Sequence, residues 1–210
     1  QPQPMREIEA LAEWTAGIAC LTRGEMTEAT ACFDLAAGIF RSLGQTHHAA
    51  ETQVPKIMAL AMLGQQALAA ACAEATQREF VALGDVGAAG KVSLNLGSLH
   101  LRGDDFQQAA HHYREAAVLF ARVDDREHAV MADSALADAL TSLGDFDEAM
   151  RIYARAAMRA GTHGLPVVEA MIEESVALLE LARGHYRDAL AGFEGSRRRY
   201  EQLGMPQHLA

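Results

Sequence analysis

The most informative segment of the chain is Leu143-Gly144-Asp145-Phe146-Asp147-Glu148-Ala149. Its core order, a glycine followed five residues later by an alanine, recurs at Arg23–Ala29 and at Arg183–Ala189. Degenerate copies begin at Gly64 and, one residue longer, at Gly103. The glycines lie about 40 residues apart, which is a spacing typical of arrays of helical repeats. The chain is therefore predicted to be built from one repeated unit.

Larger side chains recur in phase with these glycines. They follow each alanine at steps of four, three and four residues, which mark one face of a helix. The first step gives Phe33, Ala73, Tyr113, Tyr153 and Phe193, and the aromatic ones are expected to be buried between helices. A second break, such as Leu43-Gly44, closes most units, and glycine in this place ends helices because it tolerates a left-handed conformation. The ten helices predicted in this way span residues 5–22, 26–43, 46–63, 66–83, 86–102, 105–123, 125–143, 146–162, 166–183 and 186–203.

The repeated unit resembles a known family. Gly144–Ala149, followed by Tyr153 and Ala156, resembles the tetratricopeptide repeat (TPR), and Leu94-Asn95-Leu96-Gly97 resembles the signature of its first helix. The unit is longer than the usual ~34 residues, and it resembles the stretched version found in multidomain bacterial signalling proteins. The resemblance implies an all-α fold, a right-handed α-solenoid of about ten antiparallel helices.

The resemblance extends over nearly the whole chain, as about five units. We therefore expect residues 1–210 to form a single TPR domain. Because the chain opens with Gln1 and Met205-Pro206 is typical of the start of a further helix, we expect it to be a piece of a longer array or of a multidomain protein.

Composition excludes several classes of function. Lys+Arg 18 against Asp+Glu 28 gives a net charge of -10, which argues against direct binding to nucleic acid. No apolar run approaches the ~20 residues that span a bilayer, so no membrane contact is predicted. Three scattered cysteines without a CxxC pair indicate neither a disulfide framework nor a zinc site. These features favour a cytoplasmic protein, and the excess of arginine over lysine favours a bacterial source.

No motif indicates catalysis, a cofactor or a metal. The serines lack a nucleophile setting, and the glycines are spaced as repeat punctuation rather than as a phosphate-binding loop. No two histidines lie three or four residues apart, and adjacent pairs such as His111-His112 point about 100° apart on a helix. We therefore predict that the protein is not an enzyme and has neither a cofactor nor a metal site.

One binding mode of the TPR family can be tested at individual positions. Some members hold a peptide carboxylate with a clamp of lysine and asparagine on the first helices of successive repeats. The corresponding positions here contain no lysine, arginine or asparagine; they are Trp14, Val54, Leu94, Ser134 and Glu174, and four residues on Ile18, Met58, Ser98, Asp138 and Leu178. A carboxylate clamp is therefore disfavoured.

The resemblance instead implies a groove, because first helices line the concave face of this fold. One end of the predicted groove is apolar and the other is polar and acidic. The apolar end consists of Trp14, Ile18, Leu21, Val54, Met58 and Met62, and the polar end of Ser134, Asp138 and Glu174. An equally weighted alternative places Trp14 in the core and packs the apolar first helix against a preceding repeat.

Two functions remain open from the sequence. The first is a protein-interaction scaffold that binds a peptide, a helix or a neighbouring domain, including one of the same chain, in this groove. The alternative is an effector-sensing or regulatory arm of a larger bacterial signalling protein, either an ATP-dependent transcription regulator or a caspase-like (CHAT) protease. The groove favours an apolar partner with a basic residue, because acidic residues line its second half.

Overall fold

The structure, a computed structural model, describes residues 3–205, and its regular secondary structure in that range is entirely helical. The helices are α1 Gln3–Arg23, α2 Met26–Ser42, α3 Thr46–Met62, α4 Gln66–Leu83, α5 Val86–Arg102, α6 Phe106–Arg122, α7 Arg126–Ser142, α8 Phe146–His163, α9 Pro166–Ala182 and α10 Tyr186–Gln202. All ten predicted helices are confirmed, and so is the all-α solenoid class. A further helix is also expected to start at Met205-Pro206. Its residues from Pro206 onward lie outside the described range.

The turns between helices follow a period of 20 residues. One residue in each turn adopts a positive φ, and eight of these ten residues are glycines. They are Gly24, Gly44, Gly64, Gly84, Asp104, Asp124, Gly144, Gly164, Gly184 and Gly204. The prediction of a one-residue shift at Gly103 was wrong, because Asp104, with φ 58, takes the left-handed position instead. Aspartate tolerates this conformation better than most residues, so the 40-residue repeat is unbroken.

Backbone hydrogen bonds close these turns in a recurring way. After α7, the N–H of Asp145 donates to the carbonyl of Leu140 at 3.0 Å and that of Gly144 donates to Thr141 at 3.0 Å. This pair of bonds is a Schellman motif, which satisfies the last carbonyls of a helix. The next residue often caps the following helix: the side chains of Asp105, Asp125 and Asp145 each accept a bond from a backbone N–H three residues on.

The chain divides into two compact units, Gln1–Leu99 and His100–Ala210. In the first unit, alanines allow close approach of helices around two aromatic side chains. Phe33 packs with Cys20, Ala29 and Ala59, while Phe40 packs with a second group of alanines. Phe33 is 0% and Phe40 1% exposed, so these repeat positions form the core as predicted.

In the second unit, tyrosines occupy some of the repeat positions that phenylalanines occupy in the first. Tyr113 and Tyr153 are buried, as predicted, and so is Tyr200 near the end of α10. The prediction that Phe193 is largely buried was wrong, because it is only half-buried. It lies on α10, the last helix of the described range, which packs on α9 and has no later described helix to cover its other side.

Candidate partner-binding surfaces

Large apolar side chains are exposed on two neighbouring helices of the first unit. Ile18 of α1 and Met58 of α3 occupy the same repeat position, forty residues apart, and are 41% and 52% exposed. Met62, one turn beyond Met58, is 61% exposed. Leu21 and Val54 lie half-buried on the same two helices. We call this set of five residues the α1–α3 apolar surface.

Trp14 does not lie open on this surface. It is half-buried and packs against both core clusters of the first unit. Its ring meets Phe40 edge to face, with centroids 6.2 Å apart. Aromatic pairs of this geometry stabilise a core beyond the area they bury. Trp14 therefore stabilises the packing of α1 on the core, and the packing of α1 against a preceding repeat stays a prediction.

The polar residues predicted to line the groove lie in the second unit. Asp138 of α7 accepts a hydrogen bond from the hydroxyl of Tyr153 on α8, and Ser175 of α9 also bonds to it. Burial raises the pKa of Asp138 despite these bonds, and burial together with the adjacent carboxylate raises the pKa of Tyr153. Asp138 is thus part of an internal network that joins three helices.

Glu174 has a similar internal partner. The hydroxyl of Tyr200 on α10 donates to its carboxylate at 3.1 Å. Burial and this bond raise the pKa of Tyr200 to about 12. Ser134, the third polar residue of the set, is half-buried on α7. Both acidic side chains of the predicted groove are therefore engaged within their own unit.

Further ion pairs hold the helices of this unit together at two equivalent places. Asp133 of α7 pairs with Arg155 at 3.0 Å and with Arg159 at 2.9 Å. Forty residues later, Glu173 of α9 pairs with Arg199 of α10 at 2.6 Å. The pattern of apolar residues does not reveal these pairs. Opposite charges at positions that repeat every forty residues are the sequence signal that could have predicted them.

The first unit also contains a cleft of about 510 Å³ between α2, α3 and α4, which is lined by both charged and apolar side chains. Lys56 lies in it and pairs with Asp34 at 2.5 Å, and Arg41 pairs with Glu79 at 3.4 Å. Cys72 lines the same cleft, and burial raises the pKa of its thiol. The sequence analysis missed this cleft because its residues come from three helices with no shared motif.

Metal-ligating side chains converge at two places in the described residues. One group consists of His111, His112 and Glu115, and the other of Glu180, His185 and Asp188; in each, the ligand atoms lie within 4.8 Å of one another. The expectation that adjacent histidines do not converge was wrong for the first group. Spacing between histidines alone does not reveal this group, because its third member is Glu115, which lies four residues after His111 and three after His112.

In the range 3–205, no helix is both long enough and apolar enough to cross a membrane.

A known protein family resembles this chain in sequence, and solved structures resemble it in fold. The sequence profile of the soluble NSF attachment protein (SNAP) family matches residues 14–170, about three quarters of the chain. The chain belongs to the SNAP family. It is a SNAP-family array of TPR-like repeats, so the predicted resemblance is confirmed. No curated protein sequence matches it.

Solved structures share the SNAP-family fold at low identity. The TPR-like repeats of a protein from Podospora anserina, described as a kinesin light chain, superpose with a TM-score of 0.77 at 14% identity, over 94% of this chain and 97% of that one. Aspartyl phosphate phosphatase F from Bacillus subtilis gives 0.78 at 12%, over 95% and 57%. The Rap conjugation gene regulator of plasmid pLS20, in complex with the Phr* peptide, gives 0.67 at 18%, over 93% and 52%. The chain thus spans little more than half of the last two proteins.

Proposed function

We propose that this protein is an interaction scaffold whose α1–α3 apolar surface binds a peptide or helix of a protein partner. The observation that carries the proposal is the exposure of Ile18, Met58 and Met62, each more than 40%. Ile18 and Met58 share a repeat position on two helices that contact each other, and Met62 lies one turn beyond Met58. Adjacent exposed apolar side chains usually mark an interaction site, whereas scattered ones need no explanation.

The chemistry of the surface favours an apolar partner segment. Two of its three exposed side chains are methionines, which are unbranched and adapt to partners of varied shape. An amphipathic helix presents apolar residues at steps of three and four, which match contacts along two parallel helices. The net charge of -10 favours basic over acidic residues around these anchors. The partner proposed here is therefore an amphipathic helix with basic flanks.

A structural neighbour supports a peptide as partner. The Rap conjugation gene regulator, which shares the fold, was solved in complex with the Phr* peptide. A helical repeat array of this kind can thus bind a peptide. We infer the position of the binding surface in this chain from the exposed apolar residues of α1 and α3, and not from that complex.

The test is selection of peptides from a displayed library of helical sequences on the wild-type protein, with counter-selection on Met58→Glu. Selected peptides are expected to carry apolar residues three and four positions apart. Met58→Glu and Met62→Glu should each weaken their binding at least tenfold, because a carboxylate would have to be desolvated against the apolar partner.

The matched control is Met158→Glu, which makes the same change at a side chain 68% exposed on α8 of the second unit. It should leave affinity unchanged, and all three variants should keep the wild-type melting temperature. Equal affinity in the Met58 and Met158 variants would reject the surface.

A second candidate function, sensing of a small effector, is favoured by the cleft between α2, α3 and α4. Lys56, Arg41 and Gln53 line it, and a cavity of a few hundred Å³ with a mostly apolar lining and a few polar groups is typical of ligand sites. This function would suit a regulatory arm of a larger bacterial signalling protein. A screen of anionic metabolites by thermal shift tests it: a true ligand should stabilise the wild type and fail to stabilise Lys56→Met, and absence of any stabilising compound would count against it.

A further inference from the structure

Three metal-binding side chains meet on α6 of the second unit. His111, His112 and Glu115 come from consecutive turns of one helix, and their ligand atoms lie within 4.8 Å of one another. Their burial differs: His112 is buried, Glu115 is half-buried and His111 is exposed. The group therefore reaches from the packed interior to solvent, which leaves an ion a path of entry.

His112 supplies an independent observation. Its side chain is buried with only 9% of the residue exposed, yet its Nδ1 has no hydrogen-bond partner among residues 3–205. Buried polar atoms are nearly always satisfied, so an unpartnered one calls for an explanation. The closest carboxylate oxygen, Oε2 of Glu115, is 3.6 Å away, which is beyond hydrogen-bond distance.

That separation suits a bridging ion. Zinc binds imidazole nitrogen and carboxylate oxygen at about 2.0–2.2 Å with tetrahedral geometry, which places two ligand atoms roughly 3.3 Å apart. The 3.6 Å between Nδ1 of His112 and Oε2 of Glu115 needs only a small side-chain adjustment to reach this value. An ion between them would satisfy the orphaned nitrogen.

Two other histidine rings pack against the ring of His112. The ring of His100 stacks on that of His112 with centroids 5.2 Å apart, and the ring of His111 lies 5.1 Å away. The Glu115 carboxylate beside these rings would offset part of the charge of a bound cation.

We propose that His111, His112 and Glu115 bind a divalent transition-metal ion, with Zn²⁺ as the expected one and water in the fourth position. Two imidazoles and one carboxylate are ligands that suit zinc, and three protein ligands with an open position form a known type of zinc site. The proposal is independent of the α1–α3 apolar surface, which lies on other helices in the first unit.

The second convergent group offers a contrast. Nδ1 of His185 already lies 2.6 Å from Oε2 of Glu180, so these two atoms satisfy each other. His185 and Asp188 are exposed, and the group contains a single imidazole. Glu180, His185 and Asp188 therefore make a matched control for the site on α6.

The test is titration of the tag-free, reduced protein with Zn²⁺ alone, followed by the ¹⁵N resonances of the histidine side chains. This readout reports imidazole binding directly, so zinc held by Cys20, Cys32 or Cys72 does not mimic it. The Nδ1 resonance of His112 and a ring nitrogen of His111 are expected to shift together and saturate at one equivalent. His111→Ala and Glu115→Gln, both changes outside the buried core, should weaken this binding at least tenfold, while His185→Ala should leave it unchanged.

Two results would overturn the proposal. The first is saturation with Zn²⁺ that shifts His185 or other histidines and leaves His112 unmoved. The second is His112 shifts that persist with the same affinity in both His111→Ala and Glu115→Gln. Because His111 is exposed, unchanged melting temperatures of the zinc-free variants are expected and exclude unfolding as the cause of lost binding.

Discussion

The ring of Phe33 occupies the space where a side chain at Gly17 would lie. A Cβ on Gly17 would stand 2.6 Å from Cε1 and 2.8 Å from Cδ1 of Phe33, closer than real Cβ contacts come. Gly17 is a buried residue in the middle of α1, and Phe33 is 0% exposed on α2. Because Gly17 has no side chain, α1 and α2 can pack this closely.

Gly17→Ala should therefore lower the free energy of unfolding by about 1–3 kcal/mol, because the added methyl group overpacks the contact with Phe33. Gly38→Ala is the matched control, since Gly38 is exposed within α2 and an added Cβ would meet nothing within 4 Å. There, alanine should raise stability by about 0.5–1 kcal/mol. Urea unfolding measures both. Equal effects of the two substitutions would contradict the close contact.

Asp133 contributes to stability through a different kind of interaction. Its side chain is only 6% exposed and accepts bonds from Arg155 and Arg159, which are themselves half-exposed. Asp133→Ala should cost about 2–3 kcal/mol, because hydrogen bonds to charged groups are stronger than neutral ones. The measurement is the free energy of unfolding in urea, at low and at moderate salt.

The matched control for this pair is Arg151→Ala on the same helix as Arg155. Arg151 pairs with Glu148 at 2.7 Å, but its side chain is 74% exposed. Exposed ion pairs contribute little, so this change should stay within about 0.5 kcal/mol. A loss as large as that of Asp133→Ala would show that burial does not distinguish the two pairs.

The sequence predicted the helices well because its turn signals are local. A glycine in the left-handed position ends a helix wherever it occurs, and eight of ten turns use one. Asp104 and Asp124 take the same conformation without that signal, so the turn at Gly103 was placed one residue early. Aspartate is common on helix surfaces as well as in turns, so its identity alone does not mark the left-handed position.

The functional residues were harder to predict because their partners are distant in sequence. Asp138 has the position of a groove residue, but its bond to Tyr153 depends on how α7 packs against α8. Position on a helix face predicts which residues share a side and not which of them pair. The same limit applies to Trp14, whose place on the first-helix face did not reveal its contact with Phe40.

His47 should make the stability of the first unit depend on pH. The hydrogen bond to Asp85, 2.9 Å away, raises the pKa of His47, and the charges of Asp85 and Glu51 add to this. A raised pKa in the folded state means stabilisation that is fully present below the unfolded value of about 6.5 and is lost as pH rises through the folded value. Compared with His47→Gln, the wild type should therefore melt higher at a pH of about 5.5 and lose this advantage by about 8. If wild type and His47→Gln differed in melting temperature by the same amount at both pH values, the raised pKa of His47 would not contribute to stability.

Tyr153 joins the repeat core to the polar network of the second unit, and its two roles can be separated. Its ring is buried, with 1% of the residue exposed, and its hydroxyl donates to Asp138. Tyr153→Ala should cost about 3–5 kcal/mol, as for other buried aromatic side chains. Tyr153→Phe keeps the ring and removes the bond, so it should cost only about 1–2 kcal/mol.

Tyr186→Ala, at a tyrosine 71% exposed, serves as control and should stay within about 0.5 kcal/mol. An unchanged melt of Tyr153→Ala would show that the aromatic positions of the repeat do not form its core, whereas equal losses in the alanine and phenylalanine variants would assign the whole effect to the hydroxyl.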